Sequence, residues 1–137
     1  MMNGSVAPDE LLARYITRSK WFRKQDQTVK QDAFIPRDSE LSVSRHLHLT
    51  EEDIWKIGRK IAEGMSTPRH LYGRADVETR HVIAQRLYVM PQPECGNPNH
   101  ANIVGWPLEK DARKMCALEL AKAARFVADP EAGAQTA

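Results

Sequence analysis

Nine residues, Leu41–Leu49, alternate without a break. Leu41, Val43, Arg45, Leu47 and Leu49 point one way, and Ser42, Ser44, His46 and His48 the other. A period of two marks a strand with one buried face. The next residues, Thr50-Glu-Glu-Asp53, open a helix. The Thr50 hydroxyl can accept from the backbone N–H three residues on while Asp53 reaches back, a capping box with Asp in place of Glu. Ile54, Ile57, Ile61 and Met65 follow at spacings of three and four, widened by Trp55 and Ala62, so this helix is expected to end near Gly64. A strand feeding straight into a helix commits the chain to a mixed architecture.

Similar readings extend along the rest of the chain. Asp9 to about Lys24 is predicted to be a helix, capped by Asp9, with Leu11, Leu12, Tyr15, Ile16 and Ser19 on one side. Thr28–Ile35 is compatible with a strand and Pro36-Arg-Asp-Ser-Glu40 with a turn, so this segment and Leu41–Leu49 are expected to form a hairpin. Ser66–Ala75 reads as a loop. Val77–Met90 reads as a strand bulged near Ala84, with a helical reading open for its first half. A strand over Ala101–Trp106 and a helix from about Leu108 to Ala128 complete the order α-β-β-α-β-β-α. The expected fold is α+β: a small antiparallel or mixed sheet of about four strands with three helices on one face. The domain is expected over 9–128, with disordered tails at 1–8 and 129–137.

At 137 residues the chain is expected to form one domain with a core of its own. A net charge of +2 is too small to mark the whole chain as a polyanion binder, so any nucleic-acid footprint must be local. Two cysteines, Cys95 and Cys116, do not make a secreted disulfide framework. Met1–Pro8 carries no basic segment followed by an apolar core, and the longest apolar runs fall well short of a membrane span. The expectation is a cytoplasmic protein with reduced thiols and no membrane partner.

The chemistry-bearing residues form two groups. Cys95-Gly-Asn-Pro-Asn-His100 is a turn-rich loop running into an apolar strand, and His46 and His48 are expected on one face of theirs. His46, His48, Cys95 and His100 together would make a Cys-His₃ set that zinc accepts in tetrahedral geometry, although the spacing is not a zinc signature. The bland alternative is solvent-facing histidines and a turn whose His100 bonds a carbonyl. Cys95 with His100 also forms a candidate nucleophile–base dyad, whereas Cys116 is expected to be a core residue. No G-x-S-x-G, P-loop, dinucleotide fingerprint or H-E-x-x-H occurs. Asp38, Glu40, Glu51, Glu52 and Asp53 read as a turn and a helix start.

The second group is basic and aromatic. Arg18, Lys20, Trp21, Arg23 and Lys24 form a candidate binding surface, with Arg14, Tyr15, Phe22 and Lys30 nearby and Arg69, His70, Arg74 and Arg80 able to add to it. Cations interleaved with aromatics can hold phosphates and stack bases. The same pattern also fits a solvated helix face with core aromatics.

Ala33-Phe-Ile-Pro36, Leu41-Ser-Val43 and His100-Ala-Asn-Ile-Val-Gly105 together resemble short uncharacterised bacterial proteins. The resemblance implies a bacterial cytoplasmic protein and brings no activity. The leading functional expectation is a small accessory or regulatory module that binds another protein through the basic-aromatic segment and the Pro91–His100 loop. The alternatives are a nucleic-acid-binding module and a metal-dependent or cysteine hydrolase at Cys95 and His100.

Overall fold

A computed structural model describes residues 6–131. The chain is α+β. Its main sheet has six strands, and every neighbouring pair is antiparallel. In chain order the elements are β1 (Leu11–Ile16), β2 (Phe22–Arg23), β3 (Thr28–Val29), β4 (Leu41–Arg45), α1 (Glu51–Glu63), β5 (Gly73–Glu78), α2 (Thr79–Ala84), β6 (Tyr88–Pro91), β7 (His100–Val104), α3 (Lys110–Ala123) and β8 (Arg125–Ala128). The sheet order is β6-β7-β4-β1-β5-β8, and β2 and β3 form a separate two-stranded hairpin. Six strands replace the expected four or so, and four of the seven expected elements change type or split.

The largest correction is at the start. Leu11–Ile16 is a strand rather than a helix, because the sheet buries it on both faces. Leu12 and Ile16 enter one core cluster, while Ala13 and Tyr15 enter another. A central strand of this kind lacks polar–apolar alternation, so its apolar run also fits helical spacing. Beyond it, a 3₁₀ turn at Ser19–Trp21 leads into the β2–β3 hairpin. Thr28–Ile35 is a two-residue strand followed by a 3₁₀ turn at Gln31–Phe34, which buries Ala33 and Phe34. It does not pair with Leu41–Arg45, whose partners are β1 and β7.

The remaining differences come with strand pairings made across the sheet. Gly73–Glu78, partly read as loop, pairs residue for residue with β1. Thr79–Ala84 turns into a short helix, so Val77–Met90 is not one strand, and Tyr88–Pro91 returns alone against β7. The last helix stops at Ala123, and Arg125–Ala128 pairs with β5. There Phe126 stacks on Phe22, with ring centroids 4.7 Å apart.

The strand-to-helix junction forms largely as expected. Thr50 Oγ1 accepts from the Asp53 N–H at 3.1 Å, and the Asp53 carboxylate accepts from the Thr50 N–H. The strand itself ends at Arg45, so His46 and His48 lie beyond it in a turn, with His48 at a φ of 61°.

Helices cover both faces rather than one. α2, α3 and the 3₁₀ turn at Gln31–Phe34 close over Leu12, Ile16, Val43, Val77, Ala101 and Ile103. α1 covers the opposite face above β1, β5 and β8, through Ile54, Trp55 and Ala62. Gly58 lets α1 approach closely, since a Cβ there would stand 2.5 Å from the Tyr15 ring. The half of that face formed by β4 and β7 carries Ser42, Ser44, His100 and Asn102 instead of a covering helix. Among the described residues no helix is long and apolar enough to cross a membrane.

Candidate functional site

The sheet forks between β1 and β4. Their pairing covers only Leu12 with Arg45 and Ala13 with Ser44, whereas β1 pairs with β5 over six residues. Arg14 sits where the two strands part. Its Nε donates to the Ala33 carbonyl at 2.7 Å and its Nη1 to the Ser42 carbonyl at 3.1 Å. The Ser42 carbonyl lies on β4 beyond the last β1 pair, so there the side chain stands in for a missing backbone partner, while the Ala33 carbonyl belongs to the neighbouring 3₁₀ turn.

A cleft of about 1150 Å³ opens in this fork. Arg14, Arg18, Lys20, Arg37 and Arg69 line it together with Trp21, against two carboxylates, Asp32 and Glu40. Five cations facing two anions give a local excess that the nearly neutral whole chain does not reveal. The Trp21 ring lies 4.8 Å from the Arg14 guanidinium carbon and 5.9 Å from that of Arg18, both within cation–π range.

Arg14 differs from the other inward-facing cations. Arg45 forms a bidentate pair with Glu10 at 2.6 and 2.9 Å, which raises its pKa. Arg59 bonds Asp129 at 2.8 Å. Arg74 bonds Asp76 at 3.0 and 3.1 Å and Glu51 at 3.0 and 2.9 Å. Burial pulls the Arg74 pKa down, but these two carboxylates more than offset it and leave it raised. Arg14 has no carboxylate partner among the described residues, and desolvation pulls its guanidinium down to about 10. It remains a cation at neutral pH, held where an anion would lower its energy.

The expected surface is therefore only partly assembled. Arg18, Lys20 and Trp21 line the cleft. Arg23 and Lys24 lie at the exposed hairpin, where Arg23 pairs with Asp26 at 3.7 Å, and neither lines the cleft. Arg69, a subsidiary candidate, does line it, while Arg74 is consumed by its ion pairs. Arg37 carries no signal in the sequence, since a lone arginine in a Pro-Arg-Asp turn gains a role only where the turn folds against the fork.

The four expected metal ligands have separate surroundings. His46 Nε2 lies 3.0 Å from Asp76 Oδ1. His48 is exposed, as is Cys95, which sits beside the Glu94–Asn97 bridge of its loop. His100 is buried, with Nε2 at 2.8 Å from Ser42 Oγ and Nδ1 at 2.9 Å from the Gln92 carbonyl. Both of its ring nitrogens are thus engaged away from Cys95. Among the described residues no three His, Cys, Asp or Glu side chains group to hold a metal ion. Burial pushes the Cys116 thiol up, as for a packed rather than reactive cysteine.

No protein-family model, no curated protein and no solved structure matches the chain.

Proposed function

We propose that the protein is a small binding module whose forked-sheet cleft takes a phosphate-bearing chain, a single-stranded nucleic acid. The observation that carries this reading is Arg14, a guanidinium without a carboxylate partner among the described residues, in a cleft lined by four further cations. Trp21 adds an aromatic face on which a base can stack, a contact of about 1–3 kcal/mol per base. Phosphates neutralised by the lining cations release counterions from a single strand with a salt slope of about −0.7 per contact. Five contacts then predict a roughly 100-fold loss of affinity for a fourfold rise in salt. Fluorescence anisotropy with a labelled single-stranded oligonucleotide checks this. No binding, or an affinity indifferent to salt, refutes the reading.

A protein partner is the second reading, favoured by the sheet edge at β6. Tyr88–Pro91 pairs only with β7, bears no charged residue, and leaves Tyr88 66% and Met90 54% exposed. An uncharged open edge can accept another strand. A partner that copurifies with the native chain and is lost with Met90→Lys would favour this reading over the first.

A further inference from the structure

We infer that Ser42 is a nucleophile activated by His100, in a hydrolytic site for neutral or cationic carboxylic esters at the uncovered half of the sheet. The register of β4 against β7 places Ser44 opposite His100 and Ser42 opposite Asn102, so Ser42 and His100 are diagonal neighbours on one face. Ser42 is exposed and His100 is buried. The Gln92 carbonyl at Nδ1 can only accept, so Nδ1 carries the proton. Nε2 is then the bare lone pair that takes the Ser42 hydroxyl proton at 2.8 Å. Glu94 Oε2 lies 3.6 Å from Nδ1. Nucleophile, base and an acceptor orienting the base are thus in place.

The hydroxyl opens into a notch of about 530 Å³ lined by Asp38, Glu40, Gln92, Glu94 and Asn102. Three carboxylates and no lining cation make this notch unfavourable to an anionic substrate, although Ser42 and Glu40 also border the basic cleft, which meets the notch along that rim. Asn102 Nδ2 donates to Gln92 Oε1, which leaves the Gln92 Nε2 amide as a donor for a developing oxyanion. In the reaction Ser42 Oγ bonds to the ester carbonyl carbon as its proton moves to His100 Nε2. The C–O bond then breaks, and the leaving alkoxide takes that proton. Water, deprotonated by His100, cleaves the acyl-serine, releasing the acid and restoring the Ser42 hydroxyl.

A dialkyl fluorophosphonate, a neutral reagent for activated serines, tests this without knowledge of the substrate. The folded chain should be labelled once, at Ser42 by peptide mass mapping, and Ser42→Ala should abolish labelling. His100→Gln, which can still donate to the Gln92 carbonyl, should slow labelling by about 100-fold or more, the scale of general-base assistance. Labelling of the native chain no greater than that of Ser42→Ala overturns the proposal, as does an undiminished rate in folded His100→Gln. Should His100→Gln not fold, the comparison with Ser42→Ala, an exposed position, still decides it.

Discussion

Arg74 and Arg14 occupy neighbouring strands of one sheet and are treated oppositely. Arg74, on β5, is enclosed by Asp76, Glu51 and the Trp55 ring, 4.8 Å away. Its charge is spent inside the protein, tying α1 to the sheet. Arg14, on β1, has an aromatic ring at the same distance, but among the described residues its hydrogen-bond partners are carbonyls alone. A cation satisfied by its own fold is structural, whereas one left with dipoles alone retains an unspent attraction for an anion.

The largest expected effect breaks the satisfied side. Asp76→Ala leaves Arg74 buried with only the exposed Glu51 carboxylate, and should cost about 3–5 kcal/mol in urea denaturation. Arg14→Met, which removes an uncompensated cation but also the donor to two carbonyls, should cost less, about 1–3 kcal/mol. Equal losses for the two variants would erase the distinction between the regions.

That distinction was only half legible in the sequence. The Thr50–Asp53 cap was readable because it is satisfied locally, and the alternation held over Leu41–Arg45 but not on to Leu49, where the chain turns towards that cap. Leu11–Ile16 was not, since a strand buried on both sides loses its period-two signature. Arg18, Lys20 and Trp21 were visible as a basic-aromatic cluster, but Arg37 and Arg69 join them only through the fork. Ser42 and His100 are 58 positions apart, and only the β4–β7 register makes them neighbours.

The next expected effect sharpens the open side. Trp21→Ala should weaken single-stranded oligonucleotide binding by about 5- to 150-fold in anisotropy titrations, the stacking contribution of one base. An unchanged affinity would mean that the ring merely packs beside Arg14.

Two smaller effects grade the Arg74 side. Thr50→Ala removes the cap of the helix that carries Glu51 and should lower stability by about 1 kcal/mol in the same denaturation assay. The hydrogen bond from Arg74 holds the Glu51 carboxyl below its usual range. A depressed carboxylate pKa contributes stability that is present above the unfolded value and lost as pH falls through the folded one. Because that carboxylate is 67% exposed, the contribution is about 1 kcal/mol or less. Denaturation midpoints on descending from pH 6 through pH 4 should therefore fall slightly less steeply in Glu51→Gln than in the native chain. An identical pH profile would show that the pair adds nothing.

The most direct measurement compares oligonucleotide affinity at low salt for Arg14→Met and for Arg23→Glu with Lys24→Glu. If the fork is the site, removing Arg14, one of five cleft cations, weakens binding by tenfold or more and flattens its salt slope by about 0.7, while the doubly reversed hairpin changes affinity by about twofold. If the hairpin reversal abolishes binding and Arg14→Met leaves it intact, Arg14 is only a structural brace between parted strands, and the account of the cleft is wrong.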